Sequence, residues 1–329
     1  MKKSKKNMII GSGIAAGAVS AAAAISHGVT RKMASIAMDR PEPKVSERAA
    51  ERVTGTSADS AFSHIRKEAA EQLSSREHEI VEITAKDGVR LVGHWFYRDD
   101  ARRTIVAMHG WRSSWVDDFG IISDFWLRSD CNVLFAEQRG QNNSGGDHMS
   151  FGLLERYDCV TWANWAAEQI SHQLPMYLVG VSMGATSVLM ASELELPENV
   201  CGIAADSAFT SPHAIWKHVS ENNLHIPYAL HKASADRMCQ QRINLEAGAA
   251  STTEALKRCK VPVFLVHGTD DHFVPVEMTY ENYKACASEK RLLIVPGADH
   301  CMSYLTEKES YERTAKEFWE FCEQRKKNP

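Results

Sequence analysis

Three side chains far apart in the sequence, Ser182, Asp271 and His300, are of the types that together activate a nucleophile. Ser182 is the middle residue of Gly-Val-Ser-Met-Gly, residues 180–184. The apolar run before it predicts a strand and the small residues after it predict a helix, so the serine is expected at a tight turn. Flanking glycines let such a turn pass close to its neighbours without Cβ clashes. The hydroxyl becomes a nucleophile once a base takes its proton.

The base and the acid are predicted from their positions after two later apolar runs. His300 follows the run 291–295, and Asp271 follows the run 261–266. Because the carboxyl ends of parallel strands meet at one edge of a sheet, the three groups can converge there. The carboxylate would then orient the imidazole that activates the serine.

Two other aspartates compete for the role of the acid. Asp270 is adjacent to Asp271, but the spacing to the following Val-Pro favours Asp271. Asp206, after the run 200–205, is a weaker alternative. His109 and His267 each precede a glycine at a strand end and are expected to shape turns.

An acyl-transfer site also needs donors for the negative charge that develops on the carbonyl oxygen. The backbone N–H of Met183 supplies one by its position after the serine. The backbone N–H of Trp111, in the loop after the first parallel strand, is the predicted second donor. Trp216 is the predicted substrate contact, because it lies in a mixed polar and aromatic stretch at 207–256 that is expected to form a lid.

Hydrophobic patterning predicts an α/β fold with a mostly parallel sheet. Residues 79–85 and 89–97 alternate around Lys-Asp-Gly and predict an antiparallel hairpin. Unbroken apolar runs separated by helical patterns predict parallel strands covered on both faces. These runs are 104–108, 132–136, 176–181, 200–205, 261–266 and 291–295.

The N-terminus predicts membrane association. Four lysines within the first six residues precede an uncharged stretch from Met8 to about Ile25. Residues 1–30 are interpreted as a retained anchor, which by the positive-inside rule places the body outside the cytoplasm. The alternative is a cleaved signal and a secreted protein. Residues 31–77 are expected to be a stalk or linker with a helical segment, followed by the main domain at 78–329.

Composition excludes several classes of function. The net charge of −4 does not indicate the basic surface that nucleic-acid binding requires. The eight cysteines have neither metal-ligand nor redox-motif spacing, although disulfide pairing stays open. No metal or organic cofactor is expected, and the sequence sets no oligomeric state.

Over about residues 78–325 the chain resembles the serine α/β-hydrolases, and specifically their bacterial membrane-anchored esterase-like branch. Besides the serine turn, Glu-Gln-Arg-Gly at 137–140 with Ser-Gly at 144–145 is similar to the family's D-x-R-G-x-G-x-S loop. Glu137 stands where that pattern has Asp, and Asn142 where it has Gly. The resemblance implies an eight-stranded sheet with helices on both faces and a small lid. It also implies a carboxylester hydrolase acting through Ser182, His300 and Asp271, with a small acyl ester as substrate.

Two alternatives to an esterase remain. A serine peptidase or thioesterase would use the same three groups, although a prolyl-type peptidase usually carries a large extra domain. A non-catalytic ligand-binding protein could also be built on this fold. The complete set of three groups argues against that last class.

Overall fold

The computed structural model describes residues 27–43, 46–54, 62–171 and 173–327. An eight-stranded sheet forms its centre, with strands in the order β1-β2-β4-β3-β5-β6-β7-β8. The strands are β1 (Glu79–Thr84), β2 (Arg90–Phe96), β3 (Arg103–Met108), β4 (Cys131–Ala136), β5 (Met176–Val181), β6 (Val200–Asp206), β7 (Val263–Gly268) and β8 (Lys290–Val295). The pairs β1-β2 and β2-β4 are antiparallel and the others parallel. The predicted fold class and the N-terminal hairpin are therefore confirmed.

Helices surround the sheet. Within the described residues they are α1 (27–38), α2 (Glu47–Thr54), α3 (Ser63–Ser74), α4 (Trp115–Arg128), α5 (Glu155–Gln169), α6 (Met183–Ala191), α7 (Pro212–His218), α8 (Lys232–Ile243), α9 (Thr252–Leu256), α10 (Glu277–Ala285), α11 (Ser303–Thr306) and α12 (Lys308–Lys327). A π-helical turn at Val219–Asn223 and a 3-10 turn at Tyr228–Leu230 connect α7 to α8.

The central strands are mostly apolar because both of their faces are buried. Successive residues of β4 show this directly. Leu134 belongs to the same buried cluster as Trp162 of α5 on one face, and Phe135 packs with Phe119 and Trp126 of α4 on the other. Burying such side chains contributes about 1.5–3 kcal/mol each, so the sheet is a stiff platform for the loops at its edge.

Strand β7 begins later than its sequence pattern predicts. The apolar run suggests a start at residue 261, whereas the strand runs from Val263 to Gly268. Pro262 has no N–H to give to the ladder, which explains the delayed start. At the other end of the strand Gly268 lies opposite Val295 of β8, so the loops that carry Asp271 and His300 leave the sheet at the same level.

The described N-terminal residues pack on the sheet and on the helices around it. Helix α3 lies along α4, and a Cβ on Gly120 would come within 2.8 Å of the Ala69 backbone, so glycine permits this close approach. Helix α1 lies over the loops at the edge of the sheet, with Met38 only 1% exposed. The predicted anchor lies outside the described residues except for 27–30. Among the helices that are described, none has the length and apolar character needed to cross a bilayer.

Candidate active site

Ser182 lies at a sharp turn between β5 and α6. Its backbone has φ 53° and ψ −117°, an unusual conformation for a residue with a side chain. A Cβ on Gly180 would overlap the backbone of Gly184, and one on Gly184 would overlap the carbonyl oxygen of Met108. Both glycines are therefore required for the turn to fit between strand and helix. The Ser182 N–H donates to the Asp206 carbonyl at 2.9 Å, which ties the turn to β6.

The three side chains singled out from the sequence form a continuous hydrogen-bonded series. Ser182 Oγ lies 2.9 Å from His300 Nε2, and His300 Nδ1 lies 2.7 Å from Asp271 Oδ2. The other carboxylate oxygen, Oδ1, accepts the backbone N–H groups of Phe273 and Val274 at 3.0 and 2.7 Å. The carboxylate is thus fixed on both oxygens and can orient the imidazole toward the serine.

The electrostatics of the site favour a charged carboxylate beside a basic imidazole. Burial opposes ionisation of Asp271, but His300 and His267 more than offset it and hold the pKa of this carboxyl well below its usual range. Burial likewise opposes a charged His300, yet the Asp271 carboxylate raises the pKa of the imidazole well above its ordinary value of 6.5. The imidazole is therefore a stronger proton acceptor than a free histidine.

The two predicted amide donors lie on either side of Ser182. Met183 is the first residue of α6, where backbone N–H groups have no intrahelical acceptor. The loop of Trp111 adjoins the serine, since a Cβ on Gly110 would lie 3.3 Å from Ser182 Cβ. Among the described residues, neither amide donates to a protein acceptor, whereas the Gly110 N–H donates to Asp118 Oδ2 at 2.6 Å. Both amides are therefore free to bind a substrate oxygen.

His267 contacts the acid directly, which the sequence interpretation missed. Its Nε2 lies 3.0 Å from Asp271 Oδ2 and 2.8 Å from the Val274 carbonyl, and its Nδ1 lies 2.6 Å from Thr279 Oγ1. The expectation that it only shapes a turn was incomplete. Its position at the end of β7, four residues before Asp271, was the available signal.

The competing aspartates lie elsewhere. Asp270 is exposed and bonds the Thr269 hydroxyl at 2.8 Å. Asp206 is buried and accepts from the hydroxyls of Ser207 and Ser303, both at 3.1 Å. Neither forms a hydrogen bond with His300 in the described structure.

The loop at 137–145 is held by buried charges. Arg139 forms two 2.6 Å hydrogen bonds with Asp158 and a third at 2.7 Å with Asp87. Glu137 accepts from the Asn143 N–H at 2.5 Å and contacts His94 Nε2 at 2.8 Å. Glu137, which is one methylene longer than the Asp of the family pattern, thus reaches across its own loop to the Asn143 backbone.

Trp216 lines a cavity that Phe273, in ring contact with His300, also lines. Its ring packs edge-on against Phe151, with ring centroids 5.3 Å apart, and it lines the same cavity as Trp111. Its Nε1 is buried and has no acceptor among the described residues. Trp216 is therefore placed near the site, and its role as a substrate contact stays a prediction.

One cysteine, Cys301, follows His300 directly, and its side chain interacts with the imidazole. All eight cysteines lie in described residues, and none is disulfide-bonded. Among those residues, no group of three or more His, Cys, Asp or Glu side chains is arranged to hold a metal ion.

The fold and this arrangement define a serine hydrolase-type α/β protein. The sequence model of the prolyl oligopeptidase family (Peptidase_S9) matches residues 122–328. The chain belongs to that family.

The chain is also similar to curated proteins and to solved structures. "Uncharacterized protein YqkD" of Bacillus subtilis (strain 168) is 25% identical over 280 residues, which are 78% of this chain and 90% of that protein. "Uncharacterized protein YfhR" of Escherichia coli (strain K12) is 27% identical, over 68% of this chain and 73% of its own length. The Pyrococcus furiosus esterase Pf2001 has a TM-score of 0.62 at 23% identity, covering 76% of this chain and 92% of that one. This last likeness shows the fold alone.

Proposed function

We propose that the protein hydrolyses carboxylic esters through an acyl-enzyme formed on Ser182. The observation that carries the proposal is the 2.9 Å contact between Ser182 Oγ and His300 Nε2, with His300 Nδ1 held by Asp271. A hydroxyl, a raised-pKa imidazole and a buried carboxylate in this order are the parts of nucleophilic acyl transfer.

The reaction follows from these positions. Ser182 Oγ attacks the ester carbonyl carbon while His300 Nε2 takes the hydroxyl proton, and the carbonyl oxygen gains a negative charge. The Met183 and Trp111 N–H groups donate to that oxygen. The C–O bond then breaks, and His300 gives the proton to the departing alkoxide. Water then attacks the acyl carbon while His300 takes its proton; the bond between that carbon and Ser182 Oγ breaks, His300 returns the proton to Oγ, and the acid leaves.

A peptidase activity is the second candidate, because the chain belongs to the prolyl oligopeptidase family. A thioesterase would use the same groups. The ester is favoured because the cavity beside the site is lined almost entirely by apolar surface. A peptide backbone would bring polar groups that such a surface leaves without hydrogen bonds, at a cost of about 1–3 kcal/mol each.

The test compares the wild type with Ser182→Ala on matched p-nitrophenyl esters, thioesters and aminoacyl p-nitroanilides. We expect ester turnover that Ser182→Ala abolishes, together with loss of labelling by a fluorophosphonate probe. Ser207→Ala is the matched control, because Ser207 is a buried strand-end serine with no contact to His300 among the described residues. Faster anilide than ester cleavage would establish the peptidase, and turnover by Ser182→Ala would exclude this serine as nucleophile.

A further inference from the structure

An apolar cavity, partly open to solvent, lies beside the proposed catalytic residues. Trp111 and Phe273 line one side, and Trp216 and Val219 of the stretch around α7 line another. A further wall comes from α1, including Met33 and Ala34, and Val53 of α2 also lines the cavity. The N-terminal helices thus complete a cavity that the main domain otherwise builds.

The cavity is continuous with the catalytic residues. The Phe273 ring packs edge-on against the His300 imidazole, with ring centroids 5.1 Å apart, and lies 6.1 Å from the Trp111 ring. The Phe273 N–H also bonds Asp271. Trp111 carries one of the two proposed amide donors on its backbone and lines the cavity with its side chain. A substrate carbonyl bound by that amide therefore lies at the cavity's edge.

The cavity's lining is suited to an apolar chain. Two of its polar side chains are already bonded to protein groups: Thr30 Oγ1 lies 2.7 Å from His231 Nδ1, and the Tyr228 hydroxyl lies 2.7 Å from His213 Nδ1. No Lys, Arg, Asp or Glu is among the lining residues of the described structure. Hydrocarbon gains free energy in such surroundings because it leaves water, whereas a charged group would be desolvated without a partner.

Helix α1 is fixed in this position by hydrogen bonds to its C-terminal carbonyls. The Trp111 Nε1–H donates to the Ala37 carbonyl at 2.7 Å. The Arg112 guanidinium donates to the Ile36 carbonyl at 2.9 Å and to the Asp39 carbonyl at 2.6 Å. The last carbonyls of a helix have no intrahelical partner, so these donors both cap α1 and hold it over the site.

Charged groups just after α1 strengthen the attachment. Asp39 pairs with Arg242 of α8, with 2.6 Å between Oδ1 and Nε. Arg40 donates to the carbonyls of Ser144 and Asn142 at 2.6 and 2.7 Å, and so reaches the 137–145 loop. These contacts join the N-terminal residues to both the lid stretch and the central loops.

We propose that α1 is a specificity-determining wall of the substrate pocket, and that the substrate is an ester carrying an unbranched apolar chain. The nature of the reacting group rests on the proposed esterase function, whereas the chain-binding role of α1 does not. The apolar chain lies between α1 and the residues around α7, with the ester group at Trp111.

The test uses the full-length protein. It varies the length of the substrate's apolar chain, and it fills part of the cavity with a larger side chain on α1. Ala34→Trp places a large ring on the lining face, and Lys32→Trp places the same ring on an exposed position of the same helix that does not line the cavity. One substrate series lengthens the acyl group of p-nitrophenyl esters from acetate to octanoate. The second lengthens the alcohol of alkyl acetates. Calorimetry of decanoate binding to each protein gives a readout that needs no turnover.

In the wild type we expect kcat/KM to rise about threefold to fourfold per added methylene in one of the two series. Ala34→Trp should lower the octyl-to-acetyl ratio of that series at least tenfold and weaken decanoate binding at least tenfold. Lys32→Trp should leave both values unchanged. If Ala34→Trp does not fold, as judged by its thermal transition, Ala34→Leu is measured in its place.

The outcomes separate this inference from the proposed function. Flat chain-length profiles in both series, or equal decanoate affinity for Ala34→Trp and Lys32→Trp, would overturn the role of α1 even if esters are cleaved. Decanoate binding that Ala34→Trp alone weakens, in a protein without ester turnover, would support the pocket and refute the esterase.

Discussion

His300 and His267 contact the same carboxylate oxygen. Oδ2 of Asp271 lies 2.7 Å from His300 Nδ1 and 3.0 Å from His267 Nε2. One imidazole faces Ser182, and the other is held in the core by Thr279 and the Val274 carbonyl. The Asp271 carboxylate is therefore positioned by a second histidine on its core side as well as by two backbone amides.

The pH dependence of turnover should follow the raised pKa of His300. The proposed base works only when neutral, so kcat/KM should fall as the pH drops through a pKa above the ordinary value of about 6.5. Asp271→Asn removes the charge that raises this pKa while burial still lowers it. The acid limb of the pH–rate profile should move to lower pH, and kcat should fall by about a thousandfold or more. An unmoved limb would show that Asp271 does not set the basicity of His300.

Loss of the His267 contact should reduce kcat without affecting substrate binding. His267→Leu removes a hydrogen bond to a charged group, which is worth about 1.5–3 kcal/mol, so kcat should fall about tenfold to a hundredfold. His267→Gln keeps an N–H donor and should restore part of the rate. Steady-state kinetics separates kcat from KM. A change in KM alone, or equal kcat for the two variants, would contradict a positioning role.

The turn at Ser182 should not tolerate a methyl group on its second glycine. Gly184→Ala drives a Cβ into the Met108 carbonyl and should destabilise the fold by more than about 3 kcal/mol. Gly248→Ala is the matched control, because its nearest neighbour, an atom of the His213 ring, would be 3.6 Å away. Chemical denaturation measures the free energy of unfolding of both variants. Equal stability of the two variants would mean that α6 and the end of β3 are less closely packed than described.

Removal of Arg139 should destabilise the protein because it leaves a buried carboxylate unpaired. The side chains of Arg139 and Asp158 are only 6% and 2% exposed. Arg139→Met should therefore cost about 3–5 kcal/mol. Arg76→Met removes an exposed pair with Asp124 and should cost less than about 1 kcal/mol. Denaturation midpoints report the stability of both variants. If Arg139→Met loses no more stability than Arg76→Met, the structural role of the buried Arg139–Asp158 pair is refuted.

Membrane association of the N-terminus is a prediction that fractionation of the full-length chain can test. Four lysines followed by an uncharged stretch predict that the protein sediments with membranes and is released by detergent but not by high salt. Release by salt alone would indicate a peripheral attachment. Recovery in the soluble fraction with a new N-terminus near Ala24 would favour the cleaved signal.

The sheet was predictable because its strands are unbroken apolar runs, and such runs need no tertiary information to be recognised. The convergence of Ser182, Asp271 and His300 was predictable for a related reason, since parallel strands bring their carboxyl ends to one edge. The start of β7 was displaced by Pro262, a local effect that the sequence also contains.

The parts that could not be predicted depend on contacts between distant segments. Arg112 caps a helix that ends more than seventy residues before it, and no spacing or periodicity marks such a partnership. His267 was given a turn-shaping role because nothing in a single sequence shows where a ring at a strand end points. The placement of residues 27–43 over the site has the same origin, since their own sequence pattern indicated an anchor up to residue 30 and a stalk or linker with a helical segment beyond it.

The hydrogen bonds from Trp111 and Arg112 to α1 carry a practical consequence for recombinant work. A protein trimmed to begin near Ser57 would retain the whole sheet and every reacting group, yet would lack one side of its binding cleft. Its substrate profile would then describe an opened enzyme, broader and less selective than the native one. Assays of the two forms side by side would reveal how much selectivity resides outside the catalytic fold.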